Sequence, residues 1–180
     1  MSIQRLNRVP VVILTGVENA GKTTLSEGLA AALQWDLIPE AARTDKRVLE
    51  GNADQTHLQQ MLEQFNHSLV KLLSTAEKGI LCDTGGLVLD MWSQHAFGKG
   101  LEGAEFAMKQ AQLHLLCQTL PRWEPDPLRN MPVYADRVNL EGAYRKRLIR
   151  MELPFSELPP EEPSGRLQQA LDFIHKHCPL

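Results

Sequence analysis

An apolar, β-branched run, Val9-Pro10-Val11-Val12-Ile13-Leu14, leads into Gly16-Val17-Glu18-Asn19-Ala20-Gly21-Lys22-Thr23. The second stretch fits GxxxxGK[ST], and it stands where that pattern has physical meaning, after a buried strand and at the start of a helix. Its glycines permit backbone angles that turn several N–H groups inward around phosphate oxygens. The helix N-terminus adds partial positive charge. Lys22 can reach the β and γ phosphates, and the Thr23 hydroxyl can ligate Mg²⁺. The pattern assigns Gly16, Glu18, Asn19, Ala20, Gly21, Lys22, Thr23 and Thr24 to a nucleoside triphosphate. It identifies a triphosphate site and not a reaction.

The rest of the chain alternates strand and helix signals. Thr23 to Leu33 reads as a helix, with Leu25, Leu29 and Leu33 on one face. Trp35 to Ile38 reads as a short strand, and Pro39 to Asp54 as a charged, irregular loop. Gln55 to Ala76 is strongly helical, with Leu58, Met61, Leu62, Phe65, Leu69, Leu72 and Leu73 at three- and four-residue spacings. Ile80-Leu81-Cys82 begins a strand that ends at Asp83. Helices are expected over Leu87–Phe97, from near Ala104, and over Ser164–His175. Leu113–Cys117 reads as a fourth strand and Met151–Phe155 as a fifth, with Pro154–Pro163 a surface loop. Strands that alternate with helices imply a parallel sheet covered on both faces. The expectation is one α/β domain over residues 1–180, three layers deep, with five strands.

Composition narrows the partners. Nineteen Lys and Arg against 22 Asp and Glu give a net charge of −3, which argues against a general nucleic-acid binder. No apolar run approaches the ~20 residues of a membrane helix. Cys82, Cys117 and Cys178 are odd in number and widely spaced, so they read as reduced thiols of a cytoplasmic protein. Asp83 at a strand end could hold Mg²⁺ or accept a proton from an attacking hydroxyl; a capping role is the plainer alternative.

Several blocks together resemble one family. Leu14 to Leu25, LTGVENAGKTTL, is similar to the P-loop of the ribosylnicotinamide kinase domain of the bacterial NAD-biosynthesis regulator NadR and its AAA-domain ATPase relatives. Pro39-Glu40-Ala41-Ala42-Arg43 resembles the family's Glu-Tyr-Ala-Arg stretch. Cys82-Asp83-Thr84, with Trp92-Ser93 and Phe97-Gly98 after it, resembles its Cys-Asp-Thr strand end. Trp123 to Arg129 looks like its Trp-x-x-Asp-x-x-Arg lid entry. The resemblance implies a nucleoside-monophosphate-kinase-like P-loop fold, ATP and Mg²⁺, and γ-phosphoryl transfer to a riboside 5′-hydroxyl. Two positions depart from it: Gly85-Gly86 stand where a second acid is frequent, and Ala41 replaces an aromatic.

Glu40 and Arg43 are expected on the acceptor side, the carboxylate on ribose hydroxyls and the arginine on phosphate. Arg122 to Arg150 carries seven basic residues against four acidic ones, a net of +3 in an acidic chain. It reads as a basic helical lid, with Arg129 and Arg137 its expected phosphate contacts; a solvated basic helix is the alternative. Trp92 and Trp123 could stack on a flat cationic ring or simply pack. Lys22, Asp83, Arg129 and Arg137 form the expected catalytic set, with Thr23 and Asp83 on Mg²⁺. The expected partners are a nucleotide and a small-molecule acceptor, nicotinamide riboside first. Another nucleoside, nucleotide or metabolite remains open, as does a nucleotide-dependent switch acting through a protein partner. Oligomeric state stays open.

Overall fold

The computed structural model describes residues 9–126 and 128–178. Five strands, β1 (Val11–Thr15), β2 (Asp36–Ile38), β3 (Ile80–Asp83), β4 (Leu113–Cys117) and β5 (Phe155–Leu158), form one parallel sheet in the order β2-β3-β1-β4-β5. Seven α-helices connect and follow them: α1 (Lys22–Leu33), α2 (Lys46–Leu49), α3 (Gln55–Thr75), α4 (Gly86–Phe97), α5 (Ala104–Gln110), α6 (Tyr134–Arg150) and α7 (Pro163–His177).

The period-two alternation of the strands sorts the core into two layers. Val12, Leu14, Leu81, Leu113 and Leu115 face α1 and α7, where they meet Leu25, Leu29, Ala170 and Ile174. Val11, Ile13, Ile80 and Cys82 face the other way, onto α3 and α5. Leu58, Leu62, Met108, Tyr144 and Leu148 complete that second layer. Helices therefore cover both faces, and the three-layer α/β expectation holds. The connection leaving β1 runs over one face and that leaving β3 over the other. Ligand crevices open at such points, beyond the carboxyl ends of the strands.

Two segments differ from the sequence reading. Within Pro39–Asp54, residues Ala41–Arg43 form a 3₁₀ turn and α2 forms a short helix. The Asp45 side chain caps α2 by accepting from the Val48 N–H at 3.0 Å, and His57 reaches back to Asp45 at 2.9 Å. The fifth strand is Phe155–Leu158, inside the stretch expected as a loop, because α6 continues to Arg150. Among the described residues it is an edge strand paired with β4 alone, so half-polar residues suffice there.

Candidate active site

The loop after β1 folds into a cradle. Gly16 has φ 139°, and a Cβ there would lie 2.5 Å from the Cys117 carbonyl oxygen, so only glycine fits between β1 and β4. Lys22 is buried, and its Nζ donates to the Gly16 and Val17 carbonyls at 3.1 and 2.8 Å, which holds the ammonium at the cradle's mouth. Thr23 is half-buried and Thr24 exposed at the start of α1.

Asp83 ends β3 with the same parity as Leu81, so its side chain turns toward α1. It is buried, and its Oδ1 has no hydrogen-bond partner. Burial pushes its carboxyl above the ordinary carboxylate range; Glu40 adds to this, while a hydrogen bond with Thr23 and the charges of Lys22 and Arg43 oppose it. Arg43 Nε donates to Thr23 Oγ1 at 3.0 Å and pairs with Glu40 at 3.1 Å. The chain Glu40–Arg43–Thr23–Asp83 thus joins the loop after β2 to the glycine-rich loop after β1. Thr23 Oγ1 and the unpartnered Asp83 Oδ1 offer hard oxygen donors of the kind Mg²⁺ takes, with phosphate and water supplying the rest. Among the described residues no group of three or more His, Cys, Asp or Glu could hold a metal alone.

Asn19 and Glu18 border the cleft and tie the loop to the segment beyond β4. Asn19, at φ 56°, donates to the Leu120 and Arg122 carbonyls at 3.3 and 2.7 Å, and its Oδ1 accepts from Arg129 Nη1 at 2.9 Å. The Glu18 carboxylate accepts from the Asn130 N–H at 3.2 Å and from the Met131 N–H. Ala20, Gly21 and Thr24 line the small phosphate cleft together with Arg43, Asp126 and Arg129. Beside it opens a cleft of ≈ 700 Å³, walled mainly by apolar side chains such as Ala41, Met61, Val88, Trp92, Leu140 and Tyr144. Glu18, Lys22 and Glu40 line both clefts and mark where they meet.

Residues 11–166 match a family described as the AAA domain. This chain belongs to the AAA-domain family. Its fold is also that of solved P-loop kinases. Deoxyadenosine kinase from M. mycoides, with the products dCMP and dCDP bound, superposes with a TM-score of 0.68 at 11% identity, over 92% of this chain and 99% of that one. NadR protein in complex with NR gives a TM-score of 0.68 at 20% identity, over 98% of this chain and 53% of the other. NadR in complex with NAD and AMP-PNP gives 0.68 at 19% identity, over 98% and 51%. This AAA-domain chain thus spans about half the length of the NadR chains. No curated protein matches significantly in sequence.

Within this AAA-domain protein the expected lid arginines part ways. Arg129 stands at the phosphate cleft. Arg137, expected on phosphate, is instead fully buried: its guanidinium donates to Thr119 Oγ1 at 2.9 Å and to the Met131, Pro132 and Leu120 carbonyls at 2.9, 2.8 and 3.1 Å. It also lies over the rings of Trp123 and Tyr134 at 4.9 and 5.6 Å. Arg137 braces the segment between β4 and α6, and Trp123 packs on it rather than lining the larger cleft, whereas Trp92 does line it. Arg145 pairs with Glu157 at 2.6 Å and Glu141 at 3.1 Å, and Arg147 with Asp90 at 3.3 Å, so much of the basic run is neutralised inside the fold.

The structure also explains Gly85-Gly86. A Cβ on Gly86 would sit 2.7 Å from the Ala104 carbonyl oxygen, and one on Gly85 would press on Ile13 and Phe65 at 3.0 and 3.4 Å. Close packing of α4 on α5 and the sheet leaves no room for a second acid. Sequence reasoning missed Arg166, which lies buried behind the cradle. Its signal was present: Arg166, Ala170 and Ile174 share one face of α7 at four-residue steps, a charge in line with the apolar stripe.

Proposed function

We propose that this protein transfers the γ-phosphoryl group of ATP, with Mg²⁺, to the 5′-hydroxyl of a small riboside, nicotinamide riboside being the first candidate. The observation that carries the reading is the meeting of two clefts at Lys22, Glu18 and Glu40. One is sized and charged for phosphates, and the other is roomy, mainly apolar and aromatic-walled. The fold shared with kinases and the sequence blocks resembling the ribosylnicotinamide kinase domain support the same reading.

In this reading the loop N–H groups and Lys22 bind the β and γ phosphates. Thr23 and Asp83 would hold Mg²⁺, which neutralises charge on the phosphates when bound. Glu40 borders the acceptor cleft, whereas Asp83 is buried beside Thr23. Glu40 therefore orients the acceptor hydroxyl and takes its proton, and Asp83 serves the metal. Arg43 and Arg129 stabilise charge on the transferring group. Arg137 acts indirectly, by positioning the lid entry. Trp92 offers an aromatic face to the base. The three buried free thiols suit a reducing cytoplasm.

ADP release from Mg-ATP, with and without nicotinamide riboside, tests the proposal, with Lys22→Ala as the blank and product mass as the second readout. Riboside-dependent release with a phosphorylated product is expected, and Lys22→Ala should lower it by about a hundredfold or more. Release that ignores the riboside would refute that acceptor, and unchanged turnover in Lys22→Ala would refute the mechanism.

A further inference from the structure

Among the described residues Arg166 is a buried cation without a counterion. It sits on the first turns of α7, behind the cradle, at 4% exposure. Its Nη1 donates to the Ala20 carbonyl at 2.9 Å and its Nη2 to the Gln118 carbonyl at 3.5 Å, while Nε is buried with no partner. A Cβ on Gly21 would lie 3.1 Å from Nη1, so the guanidinium touches the cradle from the side opposite its mouth. Among the described residues Arg166 forms no ion pair.

The contrast with other charges nearby is informative. Arg145 and Arg147 each meet a carboxylate. Arg137 has none, but it has four hydrogen bonds and two aromatic faces. Arg166 is compensated least, and desolvating a guanidinium so incompletely is costly. A fold that bore the cost for packing alone would do better with a long apolar side chain at that position.

We propose that Arg166 is a positioning residue whose counterion is the nucleotide's phosphate group. It would bind the loop through the Ala20 carbonyl, keep the neighbouring N–H groups turned toward the mouth, and place a fixed positive charge beneath the phosphates without touching them. The proposal rests on the reading of the cradle as a triphosphate site and adds a contribution from the far end of the chain.

Calorimetric titration of Mg-ATP onto wild type, Arg166→Met and Arg166→Lys, with melting curves of all three without nucleotide, tests it. Arg166→Met should weaken ATP binding about tenfold, the order expected of one charge acting on an anion across a few ångströms of protein. Its nucleotide-free melting temperature should equal or exceed that of wild type, since an unpaired charge has been removed. Arg166→Lys keeps the charge and should bind within about threefold of wild type. A packing residue would give the opposite pattern. Unchanged ATP affinity in Arg166→Met, a lowered melting point or failure to fold in that variant, or equal loss of affinity in Arg166→Lys would each overturn the proposal. Wild type that does not bind Mg-ATP would remove the triphosphate reading itself, an outcome visible in the wild-type arm alone.

Discussion

At the scale of single residues, the two acids near the cradle separate by burial and parity. Asp83 is buried beside Thr23, while Glu40 stands at the junction of the clefts. Different kinetic signatures follow. Asp83→Asn should raise the Mg²⁺ concentration needed for half-maximal rate, and excess Mg²⁺ should restore part of the loss. Glu40→Gln should lower kcat about a hundredfold at any Mg²⁺ concentration while leaving ATP binding nearly intact. Equal Mg²⁺ curves for both variants would contradict the division. Thr84, directly after Asp83, has φ 70°, a region a β-branched residue occupies only under strain. Its place on the wall of the larger cleft puts that strain where the acceptor would bind. The P-loop and Asp83 were legible in the sequence because each sits at the end of an apolar run. The direction of Arg137 was not, since a charge run does not reveal which members fold inward.

At the scale of elements, the base of α6 is fastened to α4. Asp90 accepts from the Leu101 N–H at 2.8 Å and from Gln94 at 2.7 Å, and it pairs with Arg147 at 3.3 Å. Asp90→Ala would leave a buried amide and a largely buried guanidinium unmatched. The expected loss is about 3 kcal/mol, or roughly 10 °C in the melting temperature of a chain this size. A shift under about 2 °C in a thermal melt would show that the clamp contributes little. Long helices such as α3 were legible because their apolar spacing repeats over many residues. The strand β5 was not, because its inward and outward positions carry Ser156 and Glu157. Glu157 is there to meet Arg145 and Gln118, a reason that appears only in three dimensions.

At the scale of the whole molecule, His114 lies in the middle of the sheet. Its Nδ1 faces Thr15 Oγ1 at 3.4 Å and its Nε2 the Met108 carbonyl at 3.0 Å. Burial lowers its pKa to about 4, only partly opposed by the Met108 hydrogen bond. The unfolded chain therefore takes up a proton near pH 6.5 that the folded chain refuses until about pH 4. Stability is unaffected by this group above that window and falls as pH drops through it, by an amount on the order of 3 kcal/mol. Asp45, Asp126 and Glu157, all held below the ordinary carboxylate range, add losses at still lower pH. His114→Gln should flatten the melting-temperature curve between pH 6.5 and 4; an unchanged slope would refute the assignment. Parallel pairing, strand number and layer count followed from strand–helix alternation, whereas the strand order did not, and the buried histidine read only as part of an apolar strand.

The alternation of β3 carries a last consequence. Cys82 and Asp83 are neighbours in the chain yet address opposite layers, the thiol to α3 and the carboxylate to α1. Inserting a single residue ahead of Cys82 would carry the thiol into the place Asp83 holds at the strand's end, presenting sulfur where an ion of Mg²⁺'s hardness would take oxygen. The donor offered there is thus written in the count of residues between Gly79 and Thr84 as much as in their identity. A soft cation would be the natural guest of the lengthened chain.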